Sequence, residues 1–451
     1  MPHLLSWSKL LSSKRPKNSD SSPTGEGAVI EDERTPFERD YDRIVFSAPF
    51  RRLARKTQVH PLATNSQIHN RLTHTMEVAS VGRGFRFRLV KILKDRSDLS
   101  FSQEKELGWI LQSACLIHDL GNPPFGHAGE EVVRAWTEKH NDEMFKLERF
   151  KDESELKETA ADWLKFEGNA QGFRLAARTD LQDNCYLNLT HATLAAAVKY
   201  PWMSNHKLAD TKNKHNFYST EKSLFQEMAQ DLGLFMKDGS VCRHPLSFLT
   251  EAADDICYRI IDLEDAVEMG LQDYESVRKL FLKISGSYGS PVKNLPQLRG
   301  YAIKALMDKF WSVFEAEFDS IMNGERMKGL KSSIDKDADD QLEEINTSYE
   351  KIFGHSKKVS TELGAYHILG RVLKAMMKTV HAIHDSESYD DVPFLSKRCA
   401  ELVWGRDYAK KNFEKSHQWW LANMNDFVSG MTDDHAVKLS DEIGGHNSFN
   451  R

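Results

Sequence analysis

Residues 114–130, ACLIHDLGNPPFGHAGE, concentrate groups able to bind a metal or move a proton. His118 and Asp119 stand side by side at the end of an apolar run. A turn broken by glycine and proline follows, and it delivers a second histidine, His127, and a glutamate, Glu130. Imidazoles and carboxylates this close together suit a divalent-metal phosphohydrolase centre. Taken alone, a His-Asp dipeptide is equally a helix-end histidine followed by a capping aspartate, so the partners must be sought elsewhere.

Two other segments supply them. In HNRLTHTMEVASVGRGF, His74, Val78, Val81 and Phe85 fall on one helical face, so His74 turns toward the core. A buried imidazole needs a partner, and a metal is one candidate. In EAADDICYRIIDLEDA, Asp254, Tyr258 and Asp262 recur at helical spacing beside Ile261. Inward carboxylates are costly unless met by a cation or a metal, and an arginine would serve Asp254 as well. His74, His118, Asp119 and Asp254 together make a mixed nitrogen and oxygen set that suits Mn, Fe, Co, Ni or Zn, with Mg also accommodated.

These residues carry a resemblance. The H…HD…D pattern is similar to that of the HD-domain metal-dependent phosphohydrolases. NRLTH at 70–74, HDLGNPPFGHAGE at 118–130, FEGNAQGFRL at 166–175 and the Asp-xxx-Tyr-xxx-Asp of 254–262 resemble the dGTP/dNTP triphosphohydrolase family within it. The upstream RTPFERDYDRIVFSAPFRRLARKTQV does so too, and the likeness runs from about residue 34 to 270.

The resemblance implies one divalent metal per subunit, Mn or Mg favoured, on His74, His118, Asp119 and Asp254. It implies cleavage of a deoxynucleoside triphosphate at the 5′ oxygen, giving deoxynucleoside and tripolyphosphate, with His127 and Glu130 as the catalytic pair. An alkoxide is a poor leaving group, so a positioned acid is needed there. A turn histidine bonded to backbone is the plain alternative for His127. Arg71, Asn122, Lys199, Lys214 and Asn188 match, or lie close to, phosphate-contacting positions, although lysines are commonly just solvated. Gln58, Tyr258 and Asp262 match the positions that grip the deoxyribose, with Tyr258 also acceptable as core filler. Glu167 and Asn169 fall near the site without an assigned task. The family implies a homo-oligomer, tetramer or hexamer, and an allosteric nucleotide or single-stranded DNA as a further partner.

The elements that must hold these groups read as helices. Leu107, Ile110, Leu111, Ala114 and His118 share one stripe, and most of the chain repeats this 3.6-residue period. We therefore expect an all-α, HD-type helical fold with a mainly helical C-terminal portion; a strand at 359–363 carries little weight. The expected organisation is a flexible arm over 1–33, a phosphohydrolase core over 34–275, and a helical region over 276–451 that shares the globule or the oligomer interface. Charge runs at 137–165 and 323–351 read as solvated helix faces or insertions. At 451 residues and a net charge of −6, a chain-wide affinity for nucleic acid is disfavoured. Five scattered cysteines without a CxxC pair fit a reducing cytoplasm, and no run is long enough to span a membrane. The competing functions are another HD-type nucleotide hydrolase, such as a nucleotidase or phosphodiesterase, and a non-catalytic regulator that binds nucleotide or single-stranded DNA through Arg51, Arg52, Arg55 and Lys56 or Arg83, Arg86 and Arg88.

Overall fold

A computed structural model describes residues 4–16, 33–58, 68–96, 101–178, 187–286, 294–353 and 356–445. Among these residues the fold is all-α: 22 helices and no strand, with three isolated bridges. The segment 359–363 lies inside the helix Ser356–His384, so the strand considered there does not form.

Three long helices build the larger core: Arg71–Asp95, Phe101–Ile117 and Pro245–Glu268. Val78, Phe85 and Leu89 of the first meet Leu107, Ile110 and Leu111 of the second and Leu249, Ala253 and Ile256 of the third, all essentially buried. Each fully buried aliphatic side chain contributes about 1.5–3 kcal/mol. The apolar period that buries these residues also turns His74 and Asp254 inward, toward the loop after Ile117.

A second core lies behind that loop. Val133, Trp136, Trp163 and Phe166 pack against Leu369, Leu373 and Met376 of Ser356–His384 and against Trp420 and Met424 of His417–Gly430. Both cores cross residue 275, the first reaching Ile345 and the second starting at Phe125. Within the charge run at 137–165, Glu153–Leu164 is a helix that exposes Glu153, Ser154 and Lys157, as a solvated helix face would, and turns Trp163 to this core.

The N-terminal segment departs from the loose arm expected over 1–33. Leu5, Trp7, Leu10 and Leu11 are buried, the Lys14 carbonyl accepts the His191 amide at 2.7 Å, and Arg15 reaches Asp40 at 2.7 Å. Trp7, Leu10 and Leu11 sit one turn apart, which is enough to dock a short helix on an existing apolar surface. The remainder of that stretch, 1–3 and 17–32, lies outside the described residues. No helix among the described residues is long and apolar enough to cross a membrane.

Candidate functional site

The NRLTH motif is a helix start. Asn70 accepts the Thr73 amide and Thr73 Oγ1 accepts the Asn70 amide, each at 3.1 Å, a reciprocal cap that fixes where the helix begins. Arg71 and His74 are three residues apart on its first turn and share a face. His118 follows the last residue of Phe101–Ile117, where its Nδ1 donates to the Cys115 carbonyl at 2.7 Å. Asp254 sits mid-helix in Pro245–Glu268, which proline opens at a position where no amide is needed.

These three elements converge. Single ligating atoms of His74, His118 and Asp119 lie within 4.8 Å of one another. Asp254 Oδ1 is 3.3 Å from His74 Nε2 and 3.4 Å from His118 Nε2, so it joins the group. With the His118 Nδ1 proton committed to the Cys115 carbonyl, the buried Nε2 is the atom that faces the carboxylates, and in the neutral ring it carries the lone pair. Burial opposes ionisation of both carboxyls. The Arg71 charge nevertheless holds Asp119 well below its ordinary value, and the Lys199 charge does the same for Asp254. An imidazole lone pair and two ionised carboxylates form a donor set that could hold a divalent ion. Both Asp119 oxygens and one Asp254 oxygen also accept hydrogen bonds: Arg71 Nη1 reaches Asp119 Oδ2 at 2.6 Å, Asn122 Nδ2 reaches Asp119 Oδ1 at 2.6 Å, and Lys199 Nζ reaches Asp254 Oδ2 at 2.8 Å.

The turn after His118 bends sharply. Phe125 and Gly126 both adopt positive φ, 65° and 59°, before the helix His127–Lys139 begins. At Gly126 a side chain is strained by φ and would also meet the Arg71 guanidinium at 2.6 Å. His127 projects into solvent with its side chain 82% exposed, while its Nδ1 lies 2.9 Å from Glu130 Oε2, which is 1% exposed. Glu130 Oε1 accepts the Gly168 amide at 2.8 Å. A Cβ on residue 168 would approach Asn122 Oδ1 to 2.4 Å and Glu130 Oε1 to 2.9 Å, so glycine is what lets this helix start close on the carboxylate. Burial pushes the Glu130 carboxyl up, yet His127, the Lys214 charge and the Gly168 amide bring it down to about 2.

The back of the turn is held by a residue that sequence reasoning missed. Asp433, first residue of the helix Asp433–Gly444 and 3% exposed, accepts the Phe125 amide at 2.9 Å and the Thr57 amide at 3.0 Å, together with the Thr57 hydroxyl. Beside it the buried Lys56 donates to the Asn122 carbonyl at 2.7 Å and the Ser429 carbonyl at 2.5 Å. Burial, reinforced by Arg71, pushes that amine down to about 7.

A cavity of about 720 Å³ opens over this arrangement. It is lined by thirteen of the fourteen residues singled out above as metal, catalytic or substrate candidates, including Gln58, Arg71, Asn122, Lys199, Lys214, Tyr258 and Asp262. Gln58 Oε1 is buried with no hydrogen-bond partner among the described residues, and burial raises the Tyr258 hydroxyl to about 12. Asn188 is the exception. It is absent from the lining, has φ of 45°, and its carbonyl accepts from Arg15 and, at 3.3 Å, from Arg43. Asn169, Glu167, Tyr200, Asn346 and Glu362 line the cavity instead. FEGNAQG signalled the first two, whereas nothing local marks Asn346 or Glu362, which come from the C-terminal helices.

No protein-family model matches the chain. A Pseudomonas aeruginosa protein named deoxyguanosinetriphosphate triphosphohydrolase-like is 37% identical over 440 residues, covering 92% of this chain and 94% of its own. A Synechocystis protein of the same name is 34% identical, covering 98% and 99% respectively. A Yersinia pseudotuberculosis protein named deoxyguanosinetriphosphate triphosphohydrolase is 34% identical over 317 residues, 63% of this chain and 59% of its own. With that identity along almost the whole length, the chain belongs to the deoxyguanosinetriphosphate triphosphohydrolase-like family.

Proposed function

We propose that this protein hydrolyses deoxynucleoside triphosphates to deoxynucleoside and tripolyphosphate in a metal-dependent reaction. The observation that carries the proposal is the joining, on one cavity wall, of the His74, His118, Asp119 and Asp254 group with the His127–Glu130 pair and three cationic side chains. His74, His118, Asp119 and Asp254 would hold the metal, Mn or Mg favoured. Such an ion supplies positive charge that polarises a phosphoryl oxygen and acidifies water.

The chain's own groups divide the remaining work. Arg71, Lys199 and Lys214 neutralise the triphosphate, which carries roughly three to four negative charges, and Asn122 lies at the same wall. Water adds to the α-phosphorus as the bond to the 5′ oxygen breaks; His127, oriented by Glu130, delivers the proton that the leaving alkoxide needs, and the proton lost by the attacking water passes to solvent, from which His127 is reprotonated. Gln58 and Asp262 are set to bond the 3′-hydroxyl, while Tyr258 packs on the sugar where a 2′-hydroxyl would stand. The family resemblance adds a homo-oligomer and a cytoplasmic setting to this proposal.

The test is a product assay with each of the four dNTPs and their ribonucleotide counterparts, with Mn²⁺ and with Mg²⁺. Tripolyphosphate from one or more dNTPs, and little from NTPs, is the expected result. Pyrophosphate or orthophosphate as the first product would favour another nucleotide hydrolase. Nucleotide or DNA binding without turnover would favour a regulator.

A further inference from the structure

One buried carboxylate at the cavity wall has no part in the scheme above. Glu167 is 1% exposed and grips the Lys214 ammonium with both oxygens, at 2.8 and 2.9 Å. Its Oε1 also accepts Asn169 Nδ2 at 2.6 Å. Lys214 is fixed from the other side, since its carbonyl accepts the indole N–H of the buried Trp202 at 2.7 Å. The next residue along, Gly168, supplies the amide that holds Glu130. Two adjacent residues thus reach the two halves of the site: the side chain of one holds the lysine, and the backbone of the other holds the partner of His127.

We propose that Glu167 is a positioning residue that couples Lys214 to the His127–Glu130 pair. Its reach sets where the ammonium meets the triphosphate, and its charge balances that of Lys214 beside the Glu130 carboxylate. This rests on the proposed triphosphohydrolase function. Lysine side chains lose much rotamer freedom when a ligand orders them, and a lysine already pinned by a carboxylate avoids that loss, with a third N–H left for a phosphate oxygen. The electrostatics agree. Burial and the Glu130 charge raise the Glu167 carboxyl, opposed by Lys214, and Lys214 in turn acts on Glu130, so the three groups share one field. The phenols of Tyr200 and Tyr218 are the other titratable groups that feel Glu167; the Tyr218 hydroxyl donates to its carbonyl at 3.2 Å.

The experiment compares wild type, Glu167→Gln and Glu167→Asp in the full chain, with steady-state kinetics on the best dNTP across pH. Gln keeps the shape and removes the charge; Asp keeps the charge and shortens the reach. The expected result for Gln is KM raised roughly tenfold, the loss of one charge-assisted bond, with the alkaline limb of kcat moved to lower pH. Asp is expected to return that limb toward wild type while KM stays high. If Gln does not fold, Asp alone decides: raised KM with an unmoved limb supports the proposal, and wild-type KM overturns it. Unchanged KM and limb in Gln, or a uniform fall in kcat at every pH that Asp does not repair, also overturns it. A wild type that releases no tripolyphosphate overturns the proposed function itself, whereas an active wild type with indifferent variants removes only Glu167 from the account.

Discussion

The two sides of the turn at 118–130 are built differently. Its front is made by residues from three helices of the larger core, and its groups are charged, inward and close: His118 Nε2 stands 3.4 Å from Asp254 Oδ1. Its back is made by the C-terminal helices, through Asp433 on Phe125 and Thr57 and through the Ser429 carbonyl on Lys56. The front determines which chemistry is available. The back holds the turn that leads into His127, where Phe125 and Gly126 take positive φ. A left-handed conformation at a phenylalanine is unfavourable, and three hydrogen bonds into one buried carboxylate offset that cost.

Breaking the front should have the largest effect. Asp254→Asn or His118→Ala removes a candidate ligand, and a loss of several kcal/mol of transition-state stabilisation corresponds to on the order of 10³-fold in kcat/KM. Metal content measured on the purified variants should fall alongside activity, and a variant with full activity but no bound metal would break the comparison. Breaking the back should cost less. Asp433→Asn keeps the outline and loses the charge, so we expect about 1.5–3 kcal/mol, read mainly as a 10- to 100-fold fall in kcat with metal content retained. A variant that instead loses its metal would show that the two sides are one unit.

A smaller effect is expected at the sugar end. Tyr258→Ala should lower the preference for dNTP over NTP by roughly tenfold, the worth of about 1.4 kcal/mol of packing. The ratio of kcat/KM for the two substrates is the measurement, and an unchanged ratio would remove Tyr258 from the discrimination.

The two regions should also part with pH. In the C-terminal core His417 lies 5.4 Å, ring to ring, from His381 and 5.3 Å from His384, and neither of its nitrogens has a side-chain partner. Burial pushes His417 down to about 3 and His381 to about 4, with the neighbouring histidines and Arg149 adding to the effect. Both stay neutral in the folded chain, whereas the unfolded chain takes up protons below about pH 6.5. The unfolded state then binds more protons, so stability falls as pH drops from about 6.5 toward 4, by up to about 1.4 kcal/mol per pH unit for His417. Melting temperature followed over that window should fall less steeply in His417→Phe than in wild type; parallel curves would exclude the cluster as the cause.

The front was legible in the sequence because each part is a short local pattern. His74, His118 and Asp254 follow the apolar period of their helices, so periodicity turned these three inward, while Asp119 came in as the neighbour of His118 and through the family resemblance. The back was not legible. Asp433 stands 376 residues from Thr57, and in TDDHA it reads as an ordinary acidic helix start. Thr432 caps this helix, and nothing local distinguishes an ordinary acidic first-turn residue from one that accepts amides from a distant turn. Asn188 is the converse case: a polar residue in a promising segment whose carbonyl accepts from Arg15 and Arg43 and which is absent from the cavity lining, while Asn169 is part of it. The docking of residues 4–16 was partly visible in Trp7, Leu10 and Leu11, but the Ser-, Lys- and Pro-rich stretch after them dominated the composition.

The central claim is that one site, completed from both sides of the turn, cleaves the triphosphate at its 5′ oxygen. The most direct measurement is ³¹P NMR of the purified protein with dGTP and Mn²⁺ supplied in catalytic amount, in water enriched in ¹⁸O. Intact tripolyphosphate is the expected sole phosphorus product, with ¹⁸O on a terminal phosphate and none in the deoxyguanosine. Deoxyguanosine carrying the ¹⁸O, or dGMP with pyrophosphate, would contradict it.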